Sequence, residues 1–314
     1  MAAPLAWLGR QGARAIAALV AVGIAVPPLG HALRPWLTEA VFLLLVLAFL
    51  RVDVAQLRGH LRRPGLILAA TAWSALAVPV LFWAVAAAVG LRDSAPGLFI
   101  GIILHGVASP MMAAPSLAAL MGLDSTLVLI TLVTGTAVLP LVATGFAQLV
   151  LADVLAIAPL ALGLRLAMIL GGALLAALIL RRLIGTAALI RRADELAGIN
   201  IMVLLVFICA VLADVASLAW DQPLLLAGLA ALGFAVFAAL LAASALAFRR
   251  AGRVPSLSVA VMTSQRNMGL VFAAAEGALP GTAWAYFALG QFPIYLSPLL
   301  LPPLLRQLAR DQNQ

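Results

Sequence analysis

The chain has 314 residues, of which 65% are hydrophobic and only 10% are charged, and its mean hydropathy is +1.18. A soluble domain of this size carries about a quarter of its residues as charged side chains, so a soluble globular fold is excluded and lipid must form part of the solvent. The net charge of +8 comes from 19 arginines clustered between apolar runs, which is typical of membrane topology signals and not of nucleic-acid binding.

Ten apolar runs follow one another along the chain, and a membrane-spanning helix needs roughly 20 such residues. Because these runs are far longer than a ten-residue strand, a membrane barrel is excluded. The ten helices use up nearly the whole sequence, so no fused soluble domain is expected, and the first run lacks a cleavage site and should be retained. We predict spans at 13–30, 36–50, 65–90, 97–121, 125–150, 159–181, 197–219, 223–248, 255–279 and 282–308.

The arginines predict the orientation of these spans. With the N-terminus in the cytoplasm, Arg34 and Arg92 lie outside, Arg165 and Arg266 lie within spans, and the rest are cytoplasmic. This predicts a bacterial inner (plasma) membrane protein with both termini in the cytoplasm. Five helices is an odd number, so a second half that repeats the first must have inverted topology. The cytoplasmic arginines are those at positions 10, 14, 51, 58, 62, 63, 181, 182, 191, 192, 249, 250, 253, 306 and 310.

Corresponding spans of the two halves are interrupted. The fourth span contains Pro110 and Pro115, and the ninth carries the polar run TSQRN at 263–267. Proline removes a backbone donor, and the freed carbonyls need partners at membrane depth. We therefore predict that helices 4 and 9 are broken and cross, and that the binding site lies where they meet, as it does in many secondary transporters.

Arg266 is the most informative residue of these interruptions, because a charge at the centre of a span costs about 2.5–3.5 kcal/mol on insertion scales. One reading is a fixed cation that faces an anionic substrate or a partner carboxylate. The other is a buried arginine that satisfies carbonyls of the broken fourth helix. The further candidates for substrate or ion binding are the polar and break-forming residues nearby: Ser74, His105, Ser109, Pro110, Pro115, Ser116, Thr131, Thr134, Thr263, Ser264, Gln265 and Asn267.

His105 either titrates and carries a proton or makes an ordinary interhelical contact. No Walker loop, HExxH motif or pair of mid-membrane aspartates is present, so we expect no catalytic residue, no metal site and no cofactor. The single Cys209 excludes a disulfide framework.

The order of ten spans, the proline-rich break at 108–116 and the run QRNMGL at 265–270 resemble the bile acid:sodium symporter family, of which the chain looks like a divergent bacterial member. The resemblance implies panel helices at 1–64 and 156–220 and core helices at 65–155 and 221–314. It also implies alternating access by movement between panel and core. The family carries organic anions such as bile acids, pantoate and keto acids, usually with sodium.

The chain departs from that family at its sodium ligands. Met262 stands in place of a glutamate, Arg266 in place of a glutamine, and Ser74 in place of a glutamine of the third helix, while Thr131 matches a hydroxyl ligand. Two unit charges about 4 Å apart repel by roughly 4 kcal/mol at an effective dielectric constant near 20, so we expect Arg266 to replace bound sodium. Transport would then be independent of sodium, either coupled to a proton or a uniport, although the sequence leaves the coupling ion open between sodium and a proton. The alternatives are a membrane sensor without transport and an arsenite-type efflux carrier, which the position of Cys209 on the seventh span disfavours.

Overall fold

The computed structural model describes residues 2–51 and 64–310, and this part of the chain is helical and contains no strand. The arginines at 58, 62 and 63, predicted to be cytoplasmic, lie outside the described residues. Short 3₁₀ turns occur at Arg34–Trp36 and Arg249–Ala251, and π turns at Trp73–Ala77 and Ala147–Leu151. The α-helices are α1 (Ala2–Gln11), α2 (Ala13–Ala25), α3 (Pro27–Leu33), α4 (Leu37–Arg51), α5 (Pro64–Ala72), α6 (Val78–Ala88), α7 (Leu91–Ser94), α8 (Pro96–Val107), α9 (Ala114–Leu120), α10 (Ser125–Phe146), α11 (Pro159–Ile184), α12 (Thr186–Arg191), α13 (Ala193–Leu212), α14 (Val215–Asp221), α15 (Pro223–Ala247), α16 (Arg253–Ser264), α17 (Met268–Ala274) and α18 (Gly281–Arg310).

Six continuous helical stretches of the described chain are long and apolar enough to cross a membrane. Large apolar side chains such as Leu149 and Leu224 are more than four-fifths exposed on them, as expected of a surface that faces lipid. The chain is therefore an all-α, multi-pass membrane protein. The six stretches are Pro27–Arg51, Pro64–Ala88, Ser125–Leu151, Pro159–Ile184, Ala193–Asp221 and Pro223–Ala247.

The N-terminal region differs from the spans predicted at 13–30 and 36–50. Helix α2 ends at Ala25, and a new continuous stretch begins at Pro27, because Val26 has non-helical dihedral angles (φ −125°, ψ 67°) and proline favours the first turn of a helix. Residues 2–11 form a helix that the sequence did not predict. It packs against α13, and the two helices approach closely, since a Cβ atom on Gly198 would lie 2.0 Å from the Leu5 carbonyl oxygen.

The helices pack as two groups. In the first group, α1, α2, α3 and α4 contact α13, and α4 also contacts α11. In the second group, α10 contacts α5, α9 and α16, while α18 contacts α8 and α15. Contacts between the groups run from α4 and α11 to α17, from α11 to α10, and from α13 to α18. Helices α8, α9 and α16 belong to the second group, while α17 contacts helices of both groups, so the candidate site lies in the second group next to the first.

Candidate functional site

The two interrupted helices meet at their breaks. The Met111 N–H donates to the carbonyl of Gln265, and the Asn267 N–H donates to the carbonyl of Ser109, both at 2.7 Å. These two bonds form a short antiparallel bridge. Unpaired backbone groups cost several kcal/mol in hydrocarbon, so each break supplies the partners that the other needs.

Local sequence explains where each helix stops and restarts. Pro110 disfavours helical geometry at the residue before it, and α8 ends at Val107. Pro115 does not break a helix, contrary to the sequence-based prediction: it lies in the first turn of α9, where a missing N–H costs nothing. Asn267 precedes α17, and its side-chain Oδ1 accepts from the Leu270 N–H at 3.4 Å, as an N-cap does.

Arg266 lies at the bridge, opposite Pro110, and its side chain is almost completely buried. Its Nη1 donates to the Ser74 hydroxyl at 2.8 Å, and its Nη2 donates to the Ser74 carbonyl at 3.1 Å and to the Gly106 carbonyl. Ser74 belongs to a π turn and Gly106 to the last turn before the first break. Both carbonyls are therefore at points where the regular ladder of helix hydrogen bonds is disturbed.

These contacts leave the charge of Arg266 without a counter-ion among the described residues. Its three acceptors are neutral, its Nε has no partner, and the carboxylates that form ion pairs do so with other basic residues. An unpaired buried charge is costly, and in a membrane it usually marks a pathway or binding site. The meeting point of the two breaks is therefore a cationic centre.

His105 lies one residue before Gly106 and joins α8 to α18. Its Nδ1 is 2.7 Å from the Tyr286 hydroxyl, and the Phe82 ring packs edge-on against the imidazole with centroids 5.3 Å apart. The Nε2 atom is buried and has no partner. His105 thus makes the interhelical contact that was one of its two sequence-based readings, and Tyr286 is a partner that the sequence did not indicate.

Several buried hydroxyls around the bridge have no hydrogen-bond partner: those of Ser109, Thr131 and Thr263. Helix α10, which carries Thr131, lies against the first break, since a Cβ atom on Gly135 would be 3.6 Å from the Pro110 ring. Buried polar groups are normally paired. These three hydroxyls are therefore buried polar groups whose hydrogen bonding is unsatisfied in the described chain.

Helix α18 adds two donors that the sequence analysis missed. The Gln265 side chain donates to the Ser297 hydroxyl at 2.9 Å, and a Cβ atom on Gly290 would lie 3.6 Å from the Met268 sulfur. Between these two anchor points, the Gln291 amide nitrogen and the Tyr295 hydroxyl are buried without partners. The two residues are four apart and so share a face of the helix, a spacing that was visible in the sequence.

Other predicted site residues have structural contacts instead. The Thr134 hydroxyl is 2.7 Å from that of Thr71 and also donates to backbone carbonyls one turn earlier. The Ser264 hydroxyl donates to the Val261 carbonyl at 3.0 Å. Ser116 is exposed. These three residues therefore offer no free buried donor at the bridge.

The fold and the bridge together define a multi-pass helical membrane protein with a buried cationic centre between two interrupted helices. No group of three or more His, Cys, Asp or Glu in the described ranges is placed to hold a metal ion. Neither a protein-family model nor a curated protein matches this chain.

Proposed function

We propose that this protein is a secondary transporter of small organic anions that works by alternating access. It would have ten membrane-spanning helices in two inverted halves, with Arg266 in the place where related symporters hold sodium. The observation that carries the proposal is the buried Arg266 guanidinium, which has no counter-ion within the described chain and lies where the two interrupted helices meet.

The two interrupted helices support the inverted halves. In each, a piece of 12 residues is followed by a piece of 7 residues: α8 and α9 in the first half, α16 and α17 in the second. Each short piece is followed by a glycine with positive φ, Gly122 or Gly277. The antiparallel bridge brings the two breaks into direct contact, as expected of repeats that enter the membrane from opposite sides.

The donors around the bridge favour an anion. The Arg266 charge, the Gln291 amide and the hydroxyls of Ser109, Thr131 and Tyr295 are all able to donate hydrogen bonds. A carboxylate accepts several such bonds at once and would neutralise the guanidinium. A carboxylate ligand that carries a further oxygen would use the donors of α18 as well.

The same residues disfavour a bound sodium ion. Met262, which replaces the carboxylate that the family resemblance requires, is fully buried. The Arg266 guanidinium holds Ser74, which replaces another family ligand. Because a fixed cation repels a second one in a low-dielectric site, transport should not require sodium.

In this proposal the two helix groups move relative to each other during transport. We assign the first group to the panel and the second to the core, with α17 in contact with both. Since Arg266 is buried in this structure, an anion reaches it only when the groups move relative to each other. Movement of one helix bundle against another around a fixed site is a general transport mechanism.

The test is uptake by proteoliposomes of radiolabelled pantoate, pyruvate and taurocholate, with sodium or with choline. We expect uptake of at least one compound, at equal rates in both salts. Arg266→Ala should reduce it by at least about tenfold, because a lost charge-assisted contact costs about 2–5 kcal/mol. Arg92→Ala, which removes an exposed ion pair with Asp153, is the matched control and should leave uptake unchanged.

The outcomes separate the alternatives. A steep dependence on sodium would overturn the replacement of sodium by Arg266. Thermal stabilisation of the purified protein by a carboxylate, with no uptake of that compound, would overturn transport and favour a membrane sensor. Uptake that survives Arg266→Ala would overturn the site assignment.

A further inference from the structure

Polar contacts between the two helix groups gather at one end of the molecule. From the first group, Thr38 donates to the Glu276 carboxylate at 2.6 Å, and Arg165 donates to the carbonyls of Ala274 and Glu276, both at 3.3 Å. The Arg34 guanidinium lies over the Trp284 ring, 5.4 Å from its centroid. Arg165, Glu276 and Trp284 lie toward ends of predicted spans that the arginine pattern places outside the cytoplasm, and Thr38 and Arg34 contact the last two of them.

Arg34 forms an ion pair within the first group and packs against a tryptophan of the second group. Its Nη1 is 2.9 Å from the Asp214 carboxylate, and His31 lies 3.6 Å from the same carboxylate. Arg34 and Trp284 border a cavity of about 230 Å³ between α13–α14 and α18, which reaches inward to Ala288. The cavity therefore lies between the two groups, directly beside the contacts that join them.

Two polar contacts described at the opposite end each lie within the first group. Arg10 pairs with Asp194 at 3.2 Å, and Arg181 donates to the Leu50 carbonyl at 2.7 Å. The four residues belong to α1, α13, α11 and α4, all of the first group. At the predicted outer end, by contrast, the contacts of Thr38, Arg165 and Arg34 join the two groups.

Helix α17 connects this end to the cationic centre. Its first residue is two positions after Arg266, and its last residue is Ala274, whose carbonyl Arg165 holds. The helix has only seven residues and spans about 10 Å at 1.5 Å per residue. A shift of either end of such a short rigid element moves the other end as well.

We infer that Thr38, Arg165 and Arg34 form an outer gate that closes on Glu276, the end of α17 and Trp284. This gate rests on the proposed transport function and adds the residues that control access from the outer side. The contacts must separate before an anion enters from that side, and α17 transmits their separation to Arg266. The gate is built from neutral acceptors, one hydroxyl–carboxylate bond and a cation–π contact, which can open without leaving an ion pair broken inside the membrane.

The test measures access and needs no substrate. In a Cys209→Ser background, Ala288→Cys places one thiol at the inner end of the cavity, and its reaction with a membrane-impermeant maleimide is timed in nanodiscs. Arg165→Ala should raise the labelling rate by about fivefold or more, because removing a contact specific to the closed state shifts the population toward the open one. Thr38→Val, which removes a single hydrogen bond, should raise it in the same direction and serves if Arg165→Ala does not fold.

The matched control is Arg92→Ala, which breaks the Arg92–Asp153 ion pair within the second group at the same end and should leave the labelling rate unchanged. Equal rates in the parent, Arg165→Ala and Thr38→Val proteins would overturn the gate, and so would an equal increase in Arg92→Ala. Because no anion is used, a faster rate in the gate variants supports the gate even if the carboxylate uptake assay fails.

Discussion

Arg266 and Ser74 are 192 residues apart in the chain and joined by two hydrogen bonds, one to the serine hydroxyl and one to its carbonyl. The serine lies in a π turn, where the helix backbone is locally rearranged. The guanidinium presents its donors as a planar fork, which suits two acceptors on one residue. This contact fixes the second break against a helix of the first half of the chain.

Ser74→Ala tests that contact. The substitution removes the hydroxyl acceptor but keeps the carbonyl, so one charge-assisted hydrogen bond is lost. We expect a loss of about 1.5–3 kcal/mol in the free energy of unfolding, measured by chemical denaturation in detergent. Ser116→Ala, at an exposed position of α9, is the control and should change stability by less than about 0.5 kcal/mol. Equal stabilities for the two variants would contradict the assigned role.

The sequence predicted those helices and helix breaks that are determined by neighbouring residues in the chain. The apolar runs predicted helices long enough to cross a membrane. Pro110 and the polar run at 263–267 predicted the two breaks, because proline removes a backbone donor and polar side chains at membrane depth need partners. The boundaries near the N-terminus were wrong because a single non-helical residue, Val26, separates α2 from Pro27 inside a continuous apolar run.

The contacts of the site were not predictable in the same way, because they join residues that are distant in sequence. Nothing near His105 indicates that Tyr286 accepts or donates a hydrogen bond 181 residues later. A hydroxyl in a span is equally compatible with back-bonding, as in Thr134, and with a buried atom that has no partner, as in Thr131. Only the packing of α10 against the break distinguishes the two.

Two substitutions of Arg266 distinguish the contribution of its charge to anion binding from the contribution of its shape. Arg266→Lys keeps a cation but loses the fork that reaches Ser74 and Gly106 together, while Arg266→Gln keeps some hydrogen bonding and loses the charge. We expect Lys to retain part of the thermal stabilisation that an added carboxylate gives the parent protein, and Gln to retain none. Stabilisation by a carboxylate in Arg266→Gln that matches the parent would show that the charge does not bind the anion.

The close packing of α1 on α13 predicts that alanine substitutions at two helical glycines have opposite effects on stability. Replacing a helical glycine by alanine normally stabilises by about 0.8–1 kcal/mol, and Gly171→Ala in α11 should do so because its added Cβ meets nothing within 4 Å. Gly198→Ala should instead destabilise by about 1–3 kcal/mol, since its Cβ would lie 2.0 Å from the Leu5 carbonyl oxygen.

The measurement for the glycine pair is the thermal unfolding midpoint of both variants in the same detergent. A rise in the midpoint of Gly198→Ala would show that α1 does not pack against α13 as described. The comparison depends only on the first helix group and is independent of any transported substrate.

The chain has two tyrosines, and replacing each by phenylalanine compares a hydroxyl that has a structural partner with one that has none. Tyr286→Phe removes the partner of His105 Nδ1 and leaves a buried nitrogen unpaired, which should cost about 1–3 kcal/mol of stability. Tyr295→Phe removes a hydroxyl that has no partner in the structure, so stability should stay the same or rise. If the Tyr295 hydroxyl binds the anion, its loss should weaken carboxylate binding by about fivefold, equivalent to roughly 1 kcal/mol.

Unfolding in denaturant and carboxylate binding by isothermal titration calorimetry measure the two effects separately. Because the two substitutions are chemically identical, the contrast between them isolates the surroundings of each hydroxyl. A loss of stability in Tyr295→Phe equal to that in Tyr286→Phe would show that Tyr295 has a structural partner, and unchanged carboxylate affinity in Tyr295→Phe would remove the Tyr295 hydroxyl from the binding site.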